Sequence, residues 1–153
     1  MEIERKYLIV QLPENLETYP YRIIEQGYLN TDPVIRIRRD NEKYELTYKS
    51  KGFMCREEYN LPLTQEAYVH LLPKIDGRLI QKKRYQIPLS DFKEDLLGLT
   101  IELDIFEGDL NPLILAEIEF PNEESANSFS PPAWFGKDVT FSGKYHNSYL
   151  SQK

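Results

Sequence analysis

The amino-acid sequence predicts a mainly β fold: eight mostly antiparallel strands with a few flanking helices. Three observations predict it: short runs rich in Tyr, Ile, Val and Leu, brief connections with turn chemistry, and a period-two alternation of ionic and apolar residues. The first strand spans 2–10, where Glu2, Glu4 and Lys6 share one face and Ile3 points to the other. Strands over 21–30, 34–39 and 43–50 follow, separated by Thr31-Asp32-Pro33 and Asp40-Asn41, short enough for hairpins. After Gly52 come strands over 54–61, 78–88, 99–106 and 113–120. Between the fifth and sixth, 65–72 predicts a helix with Thr64 as N-cap and with Pro73 and Gly77 as punctuation. A second short helix is predicted over 123–129. Beyond Ser130 the pattern breaks at Pro131-Pro132 and Trp134-Phe135, and 144–150 predicts a last helical turn. With no internal repeat, low-complexity tract or linker, the expectation is one domain over 1–153.

Composition narrows the function classes. The chain is 29% charged and 41% hydrophobic, and no apolar stretch approaches the roughly 20 residues of a membrane helix. The N-terminus opens on acids instead of a basic segment and an apolar core, which argues against a secretory signal. Cys55 stands alone, so neither an internal disulfide nor a thiolate zinc cluster is available, and a reducing, cytoplasmic setting is expected. A net charge of -6 opposes a nucleic-acid-coating surface, which needs a basic face. The charges of Glu107, Asp109, Glu123, Glu124 and Lys153 are expected on the plain surface.

The alternation carries the chemistry. Arg36 and Arg38, Arg56 and Glu58, Lys82 and Arg84, Glu102 and Asp104, and Glu117 and Glu119 repeat the ionic pattern of the first strand, with Ile37, Ile101, Leu103, Ile105 and Ile118 between them. Eight such strands admit two arrangements: an open sheet showing the charges to water, or a closed barrel enclosing them around a small ligand. Enclosed, so many ions would cost several kcal/mol each unless paired with one another or with a guest. A compact polyanion escorted by divalent cations satisfies both signs. Arginine forks and lysines hold phosphate oxygens, and carboxylates hold hard cations such as Mg2+ or Mn2+.

Glu2-Ile3-Glu4-Arg5-Lys6 resembles the Glu-x-Glu-x-Lys signature of the CYTH superfamily, the triphosphate tunnel metalloenzymes. The resemblance extends in order through Gln26-Gly27-Tyr28-Leu29, Arg36-Ile37-Arg38, Arg56-Glu57-Glu58-Tyr59, Lys82-Lys83-Arg84-Tyr85, Glu102-Leu103-Asp104, Ala116-Glu117-Ile118-Glu119-Phe120, Val139-Thr140 and Tyr145-His146-Asn147. It implies a closed eight-stranded antiparallel barrel with a hydrophilic tunnel and metal-dependent chemistry on a small-molecule triphosphate. By position, the resemblance makes Glu2, Glu4, Glu117 and Glu119 the principal metal ligands, with Glu102, Asp104 and Glu58 completing or supporting the metal and water sites. Lys6, Arg36, Arg38, Lys49, Arg56, Lys82 and Arg84 become phosphate ligands, joined by Lys144. Glu58 and Lys49 are the catalytic candidates. Strand register counted in from Leu61-Pro62 selects Glu58 over Glu57, and a slip of one residue exchanges them.

Hydrolysis of inorganic tripolyphosphate to phosphate and pyrophosphate is the reaction expected, since little chain is left to recognise a nucleoside. The alternatives are an adenylate cyclase or a thiamine triphosphatase of the same superfamily, or a non-catalytic polyphosphate- or nucleotide-binding module.

Overall fold

Residues 1–152 are described by a computed structural model in which the period-two runs pair into one antiparallel sheet. Its strands are β1 (Glu2–Leu8), β2 (Tyr21–Thr31), β3 (Val34–Asp40), β4 (Lys43–Lys49), β5 (Cys55–Arg56), β6 (Glu58–Leu63), β7 (Asp76–Pro88), β8 (Thr100–Phe106) and β9 (Ile114–Glu119). The order around the sheet is β5-β1-β9-β8-β7-β2-β3-β4-β6. The two ends of that order are consecutive in the chain, parted by Glu57 alone. Segment 55–63 therefore pairs with β1 through its first residues and with β4 through its last, and the sheet closes into a barrel.

This closure corrects the expected strand count from eight to nine. The run predicted as one fifth strand changes partner at Glu57, whose carbonyl accepts the Ser50 amide at 3.0 Å while Glu58 begins the ladder on β4. β7 also begins two residues earlier than predicted, at Asp76. The tight β3–β4 turn holds Asn41 at φ 54°, and the Asn41 side-chain oxygen accepts the Ile23 amide at 2.9 Å.

Helix α1 (Gln65–Leu71) starts where expected, with Thr64 Oγ1 accepting the Ala67 amide at 3.0 Å. Helix α2 (Glu123–Asn127) stops two residues short of the predicted end, capped by Asn122. The predicted last helix divides into a 3-10 turn at Gly143–Tyr145 and α3 (Asn147–Leu150).

The apolar core lies outside the barrel wall. Tyr7, Ile87, Ile101, Leu103, Ala116 and Ile118, on the outer faces of β1, β7, β8 and β9, pack beneath Ala126, Phe129, Trp134 and Phe135. A second cluster occupies one end of the barrel. Ile80, Phe106 and Leu115 take the inward positions at that end, and Tyr28, Val34, Val139 and Leu150 pack against them. Charge is thereby confined to the rest of the interior. Glu107, Asp109, Glu123 and Glu124 are exposed as expected, and Lys153 lies outside the described residues. Among the described residues no helix is long and apolar enough to cross a membrane.

Candidate active site

The inward positions line a cavity of about 200 Å³. Of the predicted site residues, Glu2, Glu4, Lys6, Arg36, Arg38, Lys49, Arg56, Glu58, Lys82, Arg84, Glu102, Glu117 and Glu119 all reach it. They arrive from every strand of the ring except β2, because period two delivers each second residue to the same face. Glu58 faces in, directly across from Lys49, while Glu57 is exposed. Six further residues to which the sequence assigns no role join them: Arg22, Gln26, Tyr28, Val34, Asn147 and Ser148.

Two predicted residues stand elsewhere. Asp104 is fully buried behind the cavity wall, where its oxygens accept Lys82 Nζ at 2.8 Å, Arg84 Nε at 2.7 Å and Arg84 Nη2 at 2.8 Å. It fixes two cations instead of facing the cavity. Lys144 is exposed in the 3-10 turn and does not line the cavity; the C-terminal segment presents Asn147 and Ser148 there instead. The apolar residues Tyr145 and Leu150, packed into the barrel end, set that rotation.

Charge is segregated by the ring order. All the cavity acids but Glu58 of β6 sit on three neighbouring strands, β1, β9 and β8, and most bases on the following four, β7, β2, β3 and β4. Ion pairs form where the two walls meet. Arg84 bonds Asp104 and also reaches Glu117 at 3.2 Å and Glu102 at 3.3 Å. At the other seam Lys49 Nζ lies 3.1 Å from Glu2 and 3.7 Å from Glu58. Within the acidic wall, Lys6 bonds Glu117 at 3.1 Å.

Away from these pairs both signs remain uncompensated. Among the described residues, Arg36, Arg38 and Arg56 have no carboxylate partner, and neither Glu4 nor Glu119 has a cation. Arg36 donates Nη2 to Thr47 Oγ1 at 3.0 Å, and its buried Nε has no acceptor. Arg38 donates Nε to Gln26 Oε1 at 2.7 Å. Such unfilled guanidinium donors at a buried cavity are a receptor for anionic oxygens.

Proton affinities follow this geometry. Burial, with repulsion from Glu117 and Glu2, pushes the Glu4 carboxyl up to about 8. Glu119 is raised as well, by burial and then by Glu2, Glu58 and Glu102. Burial opposes ionisation of Glu117, but Lys6 and Arg84 hold it well below the ordinary carboxylate range. Burial and the neighbouring Arg36 and Arg84 pull Arg38 down to about 9, and burial pulls Lys82 down to about 7 despite Asp104. His146 is pushed down to about 4 by burial and by Lys6, and it lies outside the main cavity.

Among the described residues no three acids, histidines or cysteines already converge into a metal cage. The donor set nevertheless suits a small hard cation. Mg2+ and Mn2+ take oxygen ligands, and Mg2+ in particular keeps several waters, binding through one or two carboxylates plus phosphate oxygens. Glu4 and Glu119 face each other directly across β1 and β9, where two unpaired like charges repel unless a cation lies between them.

The CYTH domain model matches residues 1–146. An inorganic triphosphatase from Nitrosomonas europaea is 40% identical over 154 residues, covering 98% of this chain and 96% of that protein. Another from Acetivibrio thermocellus is 35% identical over 133 residues, covering 84% and 79%. Among solved structures, that of an inorganic triphosphatase superposes with a TM-score of 0.72 at 36% identity, covering all of this chain and 95% of the other.

Proposed function

Because the chain belongs to the CYTH domain family, we propose that it is a divalent-metal-dependent triphosphatase that hydrolyses inorganic tripolyphosphate to pyrophosphate and phosphate. The observation that carries this reading is the charge-divided cavity, with unpaired Arg36, Arg38 and Arg56 on one side and unpaired Glu4 and Glu119 on the other. A linear polyanion and its counter-cation fill both deficits together. The relatives bearing the name inorganic triphosphatase support the same substrate class. Of the residues lining the cavity only Tyr28 is aromatic, so a nucleobase or thiamine ring finds little to stack on, which favours the inorganic substrate over ATP or thiamine triphosphate.

Arg36, Arg38 and Arg56, with Lys6, Lys49, Lys82 and Arg84, receive the phosphate oxygens and stabilise charge on the leaving pyrophosphate. Glu4 and Glu119 would hold Mg2+ or Mn2+, with Glu2, Glu102 and Glu117 beside them; such an ion would supply neutralisation of phosphate oxygen charge and a lowered pKa for a coordinated water. Water oxygen bonds to the terminal phosphorus as the bridging P–O bond breaks. Glu58 receives the water's proton and becomes neutral, and Lys49, held between Glu2 and Glu58, stabilises the negative charge developing on the phosphoryl oxygens. Asp104 acts from behind by fixing Lys82 and Arg84.

The test is to measure phosphate, pyrophosphate and cyclic AMP released from tripolyphosphate, ATP and thiamine triphosphate with Mg2+, Mn2+ or chelator. Equal phosphate and pyrophosphate from tripolyphosphate, lost in chelator, is the expected result. Cyclic AMP from ATP, or tight binding without turnover, overturns it.

A further inference from the structure

Two cavity residues have no role in the chemistry above: Gln26 on β2 and Asn147 near the C-terminus. The structure places them in contact, although 121 positions separate them. Gln26 is fully buried, and its side chain is hydrogen-bonded on both sides. Its amide nitrogen donates to Asn147 Oδ1 at 2.9 Å and to Tyr28 Oη at 3.1 Å, and its oxygen accepts Arg38 Nε. Asn147 Oδ1 also accepts Lys82 Nζ at 3.0 Å, so one oxygen joins side chains from β2 and β7 and, through Gln26, β3.

The turn that carries Asn147 is anchored on the barrel independently. The Arg78 amide donates to Ser151 O at 2.7 Å, and Lys6 Nζ donates to Tyr145 O at 3.1 Å. Ser151 is wholly buried, and Leu150 packs into the apolar end of the barrel. At Gly77, with φ +68°, an added Cβ would stand 2.0 Å from Ser151 O, so the close approach of the tail to β7 requires glycine.

We infer that Asn147 is a positioning residue, which sets Lys82 and Gln26, and through Gln26 the Arg38 guanidinium, in the geometry that receives phosphate oxygens. A flexible lysine and arginine lose rotamer freedom when they grip a ligand, and pre-ordering them on a fixed acceptor removes part of that cost. Lys82, held on one side by Asp104, and Arg38 repel each other, and the neutral Asn147–Gln26 pair gives both a shared anchor between them. The inference rests on the triphosphatase reading for its ligand.

The test is a double-mutant cycle on the full chain with tripolyphosphate as probe: Asn147→Ala, Gln26→Ala and the double variant. Steady-state kinetics with Mg2+ give kcat and KM, and calorimetry in chelator gives tripolyphosphate binding independently of turnover. Tyr149→Ala, at an exposed position of the same helix, controls for general loosening of α3. Asn147→Ala is expected to raise KM and weaken binding about tenfold with kcat within about threefold. Gln26→Ala should do the same, and the double variant should be no worse than the weaker single because both cut one network. Should Asn147→Ala melt below the assay temperature, Asn147→Ser takes its place.

An unchanged KM, a double variant that multiplies the single effects, or an equal loss in Tyr149→Ala overturns the inference. A wild-type protein that binds tripolyphosphate without hydrolysing it overturns the proposed function while the calorimetric cycle still decides the role of Asn147. A wild-type protein that does not bind it overturns both.

Discussion

Replacing Glu4 with Gln should make the metal-free protein more stable at alkaline pH while ending its turnover. Burial and the neighbouring Glu117 and Glu2 raise the Glu4 carboxyl from an ordinary 4.5 to about 8. Below the ordinary value both folded and unfolded chains hold the proton, and Glu4 costs nothing. Between 4.5 and about 8 the unfolded chain releases the proton and the folded chain keeps it, so stability falls as pH rises. Above about 8 both are ionised and the whole penalty remains. At about 1.4 kcal/mol per tenfold change in proton affinity, that interval corresponds to a ceiling on the order of 5 kcal/mol. A Gln amide in the same place finds imperfect hydrogen bonds at a cost of about 1–2 kcal/mol, leaving a net gain of roughly 3 kcal/mol. Urea denaturation in chelator, on both proteins from about pH 4 to about pH 9, measures it. At the acid end the variant should be weaker by the amide's cost of about 1–2 kcal/mol, and it should overtake the wild type as pH rises. Adding Mg2+ should stabilise the wild type by mass action and leave the variant unmoved. A difference that stays flat with pH, or a variant weaker than wild type at about pH 9, refutes the reasoning.

Other perturbations test neighbouring links. Asp104→Asn removes the buried carboxylate that pairs with Lys82 and bonds Arg84 twice, and urea denaturation should show a loss of about 3–5 kcal/mol; near-native stability would show that Glu117 and Glu102 compensate these cations. Gly77→Ala forces a Cβ onto Ser151 O at a positive φ, so the protein should lose roughly 1–3 kcal/mol and hydrogen exchange at the Arg78 amide should accelerate. Arg38→Ala removes an unpaired guanidinium from the basic wall, so KM for tripolyphosphate should rise about 10- to 100-fold; unchanged kinetics would tell against its phosphate role.

Period two made most of this barrel legible. Once Glu2, Glu4 and Lys6 share a face, every second residue of a paired strand follows, and that face holds thirteen of the predicted residues around one cavity. What stayed hidden depends on contacts between distant segments. Residues 55–63 look like a single strand because nothing local marks Glu57 as the point where pairing passes from β1 to β4. Arg22 went unnoticed because Tyr21-Arg22-Ile23-Ile24 breaks the ionic alternation, with Ile24 taking an inward position; its spacing of four from Gln26 was the available signal. Lys144 points away from the cavity, and a three-residue turn has too few apolar residues to reveal that rotation in sequence. Asp104 lies on the predicted face, yet its place behind the wall follows from two cations closing on it from β7.

The ring order explains why the same charges that endanger the fold also make a site. β1 is separated from β8 and β9 by about two-thirds of the chain, yet the three are neighbours, so acids accumulate side by side. The bases accumulate likewise on β2, β3 and β7. In such a barrel, charges at the seams neutralise one another, as Arg84 does with Asp104 and Lys49 with Glu2. Charges that neither a seam partner nor Lys6 reaches meet only their own sign: Arg36 and Arg38 on the basic side, and Glu4 and Glu119 on the acidic side. An alternating order of acidic and basic strands would let every side chain pair with its neighbour, and the interior would become a closed salt-bridge network with no demand for a guest. Segregation leaves two deficits of opposite sign lining one cavity, and a phosphate chain with its cation meets both.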